Sequence, residues 1–84
     1  MKTKLVGIAV ELKTGTIIKV GNQYRTLNGI LYHVRAIVDG MIAARHWSRR
    51  KQCWIYTIED PCLWGLFDRA GRLEYRGHNK GDDK

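Results

Sequence analysis

The stretch Arg45-His46-Trp47-Ser48-Arg49-Arg50-Lys51, continued by Trp54 and Tyr56, is where this 84-residue chain gathers its side chains for chemistry. Arginine forks match the paired oxygens of phosphate. A hairpin tip enters a nucleic-acid groove, and exposed aromatic rings stack on unpaired bases. Basic residues interleaved with aromatics are what a polyanion-binding surface needs. On this reading Arg45, Arg49, Arg50 and Lys51 meet phosphate, and Arg35 extends the patch. The competing reading is a solvated hairpin tip with Trp47 and Trp54 turned into the core.

Two other constellations are weaker. His33, His46, Cys53 and Cys62 are zinc-ligand types, and the register developed below makes His33 and His46 cross-strand neighbours with Cys53 opposite His46. Their order lacks the close pairs of recognised sites, so no metal or other cofactor is expected. A Cys/His pair oriented by Glu59 or Asp60 would be a nucleophile and base. Nothing places these groups around a pocket, and the glycines are scattered as turn residues without a phosphate-binding spacing. No enzyme is expected.

The balance of 15 Lys+Arg against 8 Asp+Glu gives a net charge of +7. The excess is concentrated. Between residues 21 and 58, Arg25, Arg35, Arg45, Arg49, Arg50 and Lys51 face Asp39 alone. Such a field draws nucleic acid, DNA or RNA, or an acidic protein surface. The 44% hydrophobic content argues against compositional disorder. No apolar run approaches the roughly 20 residues of a membrane-spanning helix, so no membrane partner is expected. The basic start Met1–Lys4 lacks a following long apolar segment and reads as no secretory signal. The two cysteines then read as reduced thiols.

The elements that must position these residues are short strands. Lys13-Thr14-Gly15 separates Lys4–Leu12 from Thr16–Val20, and Gly21-Asn22 makes the next loop. Asn28-Gly29, between Tyr24–Leu27 and Ile30–Val38, and Asp39-Gly40, before Met41–Trp47, are two-residue hairpin signals. Ser48–Lys51 is a polar tip before Gln52–Ile58, and Pro61 ends that strand. Arg69-Ala70-Gly71 marks a last turn between Trp64–Asp68 and Arg72–Arg76, with a single helical turn compatible with Pro61–Phe67. Together these predict an all-β domain over residues 1–76: a small SH3-like barrel, or a strongly bent antiparallel sheet of about five to seven short strands. Residues 77–84 read as a flexible polar tail.

Regular alternation assigns the faces. With a two-residue turn at Asp39-Gly40, Val34 opposes Arg45 and Tyr32 opposes Trp47; a four-residue turn at Ser48–Lys51 sets Trp54 opposite Arg45 and Tyr56 opposite Ala43. One face then collects Tyr32, Val34, Ala36, Val38, Met41, Ala43, Trp47, Trp54, Tyr56 and Ile58, and is the expected core. Arg45 is its misfit, placed either on the Trp54 ring or at the rim. The mixed opposite face carries His33, Arg35, Ile37, Ile42, Ala44, His46, Cys53, Ile55 and Thr57.

The segment Ile18-Lys19-Val20-Gly21-Asn22-Gln23-Tyr24-Arg25, followed by Asn28-Gly29-Ile30-Leu31-Tyr32-His33-Val34, resembles the opening of small uncharacterised bacteriophage and prophage proteins. The resemblance covers about residues 18–58 and carries over no functional residue. It implies a phage-type accessory protein in the bacterial cytoplasm. Combined with the charge, the expectation is an accessory protein that binds nucleic acid through a basic hairpin tip. The alternative is a modulator or inhibitor of a host nucleic-acid enzyme or defence complex.

Overall fold

Positive-φ residues set the turns of this chain. In the computed structural model, which describes residues 6–78, Asp39 and Gly40 have φ of 52° and 77°. Both central positions are therefore left-handed, as the primed two-residue hairpin requires. Asn28-Gly29 closes differently from the two-residue expectation. Gly29 N–H donates to Thr26 O and Thr26 N–H to Ile30 O, so three residues, Leu27 to Gly29, make the loop. The left-handed Gly29 follows the turn as a bulge glycine. Gly15 repeats this device after Leu12.

Among the described residues eight strands result: β1 (Val6–Gly7), β2 (Ala9–Glu11), β3 (Ile17–Lys19), β4 (Asn22–Arg25), β5 (Leu31–Val38), β6 (Met41–Ser48), β7 (Cys53–Glu59) and β8 (Glu74–His78). A helix, α1 (Pro61–Arg69), precedes the last strand. The main antiparallel sheet runs β7-β6-β5-β4-β8, with β1 pairing the far half of β5, and β2-β3 forms a separate hairpin. Among the described residues the path ends at β7 and β8 without closing. Of the two architectures expected, the bent sheet is the one formed. β8 runs through Gly77 and His78, which the sequence reading gave to the tail; residues 79–84 lie outside the described residues.

One irregularity governs the whole molecule. Between β5 and β6 the register runs Val38–Met41, Ile37–Ile42 and Ala36–Ala43, then jumps to Val34–Ala44 and His33–Arg45. Arg35 is the extra residue of a β-bulge. Side chains alternate strictly along a strand, so one inserted residue exchanges the faces beyond it. Tyr32 and Val34 point inward as expected, but past the bulge Ile37, Ile42 and Ala44 take the core positions. Val38, Trp47, Tyr56 and Ile58, expected inside, stand exposed.

The true core lies between the inner face of the sheet and a cover made from the β2-β3 hairpin and α1. Leu12 and Ile18 come from the hairpin, and Trp64 from the helix. Trp64 is fully buried, with ring centroids 6.0 Å from Tyr24 and 5.5 Å from Tyr32. The sequence reading of Trp64–Asp68 as extended is replaced by helix. Asp60 caps its N-terminus by accepting from Cys62 N–H at 2.8 Å, and Pro61 occupies the first turn. At the other end Gly71 N–H bonds Asp68 O and Arg72 N–H bonds Phe67 O, the paired C-terminal lock that a left-handed glycine permits. Thr14 and Thr16 hydroxyls both donate to Asp68 Oδ2, tying hairpin to helix. These donors hold the Asp68 carboxyl below its ordinary value.

Candidate nucleic-acid interface

The outer face of β5–β7 is built by the same bulge. Pairing of β6 with β7 is regular over seven residues, with Trp47 opposite Trp54, Arg45 opposite Tyr56 and Ala43 opposite Ile58. The offset from the expected pairing is two residues, so these side chains still share one face. That face looks away from the helix.

Trp47 is 47% exposed and Tyr56 65% exposed. The Trp47 and Trp54 rings meet edge to face at 5.4 Å, and His33 meets Trp54 similarly at 5.1 Å. Arg45 lies within this array at 6% exposure. Its guanidinium carbon sits 3.8 Å from the Trp54 ring centroid, and Nη1 donates to Tyr56 Oη at 3.0 Å. Stacking on Trp54, one of the two places expected for Arg45, is thus the one adopted. Arg45 is an internal brace for the rings more than an open phosphate contact. A shallow apolar depression between Arg35, Ala43, Tyr56 and Ile58 continues the face away from the hairpin tip.

The tip itself is shaped by local bonds. Ser48 Oγ accepts from Lys51 N–H at 3.0 Å, and Gln52 Nε2 donates to Arg49 O at 2.7 Å. Gln52 takes a positive φ of 54° to complete the turn. Arg49, Arg50 and Lys51 are all exposed. They lie one pair of residues beyond Trp47–Trp54, so charge and rings are separated by only about 7 Å of strand. Arg35 is exposed at the bulge, opposite Ala43–Ala44 and away from the tip.

The cross-strand placement of His33, His46 and Cys53 that regular pairing would give does not form. His33 pairs with Arg45 on the outer face, whereas His46 packs edge-on to Tyr32 at 5.6 Å on the inner face. Cys53 pairs with Ser48, not His46, and Cys62 is exposed on α1. The bulge at Arg35 is again the reason, because it separates the two histidines. Among the described residues no group of three His, Cys, Asp or Glu side chains converges. Nor is any described helix long and apolar enough to cross a membrane.

The sequence offered Trp47, Trp54 and Tyr56 both as members of the basic-aromatic surface and as residues of the expected core face. Arg45 on the expected core face was a hint against it, but the opposite face carries Arg35 and both faces carry apolar residues, so the choice of face stayed open. No protein-family model matches the chain, and neither a curated protein nor a solved structure is detectably similar to it.

Proposed function

We propose that this domain binds single-stranded nucleic acid across the outer face of β5–β7. The observation that carries the reading is the pair of exposed rings, Trp47 and Tyr56, flanking half-buried Trp54 directly beside the basic tip. Bases stack on Trp47 and Tyr56, and Arg49, Arg50 and Lys51 neutralise the phosphates. Arg45 and His33 pack against Trp54, and Arg45 also bonds Tyr56, which limits the ordering cost of presenting those rings. Exposed rings suit unpaired bases better than a closed duplex, whose bases are already stacked on one another. The setting is that of a phage-type accessory protein working in the bacterial cytoplasm.

A second reading rests on Ile58 and Val38, which carry exposed apolar surface away from the tip. That half of the face suits a protein partner, such as a host nucleic-acid enzyme or defence complex with an acidic rim.

Binding to single-stranded and duplex oligonucleotides across a salt series separates the two. Changing Arg49, Arg50 and Lys51 together to Ala removes three phosphate contacts and lowers the single-strand log–log slope by about 2. Trp47→Ala weakens binding by about 1–3 kcal/mol with the slope unchanged. Absence of binding by the parent at low salt refutes the nucleic-acid reading. A protein retained from nuclease-treated bacterial lysate in that case supports the second.

A further inference from the structure

Strand β7 is the outer edge of the main sheet and has only β6 as a partner among the described residues. Exposed edges are ordinarily defended by charge, proline, bulges or shortness. The opposite edge shows such defences. There β8 carries Glu74 and Arg76, holds Gly77 at φ 90°, and pairs with β4 through a register shift. From Cys53 to Ile58, β7 has no charged residue, glycine or proline, and its pairing with β6 is regular throughout. Its outer-face side chains are Trp54, Tyr56 and Ile58, the last two well exposed.

The ends of β7 are oppositely charged. Arg49-Arg50-Lys51 precede it, and Glu59-Asp60 close it. A parallel neighbour of the same kind would align like charges, whereas an antiparallel one sets each acidic end beside a basic tip. Antiparallel pairing also demands that two opposed residues present their backbone bonds alike, so a strand meeting its own copy is centred on a residue. Centring on Tyr56 engages all seven residues of β7. Trp54 then opposes the partner's Ile58, Ile55 opposes the partner's Thr57, and Cys53 opposes the partner's Glu59. The two basic tips end up at least about 20 Å apart, well beyond the roughly 8 Å screening length at physiological salt.

We infer that a second copy of this chain covers the edge of β7, forming an antiparallel two-fold dimer about Tyr56. About six inter-strand hydrogen bonds and the Trp54, Tyr56 and Ile58 contacts make a small interface, with dissociation in the micromolar range. The dimer continues the main sheet and places both outer faces on the same side. It stands apart from the nucleic-acid reading and is tested without any nucleic acid.

Sedimentation of the full chain over a concentration series should show a reversible monomer–dimer equilibrium that weakens with salt. Tyr56→Lys, which sets two like charges opposite each other at the axis, should sediment as a monomer with an unchanged circular-dichroism spectrum. In a Cys53→Ser, Cys62→Ser background, Tyr56→Cys should form a disulfide-linked dimer on mild oxidation. Its α-carbons would lie about 4.5–5.5 Å from their mates, within disulfide reach. Ile58→Cys in the same background should not cross-link, because its mate would lie about 13 Å along the strand. A parent that stays monomeric up to about 1 mM overturns the inference. So does Ile58→Cys cross-linking as readily as Tyr56→Cys. Either result leaves the oligonucleotide salt series unaffected as a test of nucleic-acid binding.

Discussion

Ile42 and Ile58 allow the inversion of faces to be measured with a single chemical change. Ile42 is 0% exposed and Ile58 is 64% exposed, although unbroken alternation places Ile58 in the core and Ile42 on the other face. Truncation to Ala removes three carbons, worth about 2.4 kcal/mol when all are buried, at about 0.8 kcal/mol each. The cavity left beneath the helix and hairpin adds to this, so Ile42→Ala should cost about 3–4 kcal/mol. Ile58 keeps about a third of its surface covered, and the same truncation there should cost about 0.9 kcal/mol. In a domain of this size 1 kcal/mol moves the melting temperature by about 4–8 °C. The expected losses are therefore about 15 °C or more for Ile42→Ala and about 5 °C for Ile58→Ala. Urea unfolding followed by tryptophan fluorescence, to which buried Trp64 contributes along with Trp47 and Trp54, gives the free energies. Equal losses, or a larger one at Ile58, would refute the assignment of inner and outer faces.

Three further outcomes follow from the same geometry. Deleting Arg35 removes the bulge residue and leaves Val34, Ala36 and Ile37 in regular alternation opposite Ala44, Ala43 and Ile42, so the same side chains stay in the core and cooperative unfolding should persist. A deletion variant that loses cooperative unfolding would contradict the bulge assignment. Gly40→Val should destabilise by more than about 1 kcal/mol, since a β-branched residue resists a φ of 77°; a parent-like melt would count against the turn. Asp68, held below its ordinary value of 3.8 by the Thr14 and Thr16 hydroxyls, stabilises the fold above that pH and loses this effect as pH falls through its lowered folded value. The stability gap between parent and Asp68→Asn, measured by urea unfolding from pH 7 downward, should therefore narrow below about pH 4. A gap independent of pH would show that Asp68 acts through shape alone.

The basic tip and its aromatics were legible as a candidate site because their types and clustering are local. The brace of Arg45 on Trp54 was legible as one of two options, since an arginine on an apolar face has few places to go. Exposure of the rings was not legible. It depends on the side from which the cover arrives, and Trp64, Leu12 and Ile18 reach the sheet from segments distant in sequence.

By itself the sequence determined the β class, the hairpin at Asp39-Gly40 and the end of β7 before Pro61. These follow from backbone preferences of a few adjacent residues, above all the left-handed turn positions. Tertiary structure alone decided which face of β5–β7 is buried. Both faces carry enough apolar residues to serve, and local propensity does not distinguish them. The bulge at Arg35 lets Tyr32 and Val34 on one side, and Ile37 and Ile42 on the other, reach the same core. That arrangement is stable because the helix and the β2-β3 hairpin cover those residues, leaving Trp47, Tyr56 and Ile58 to solvent.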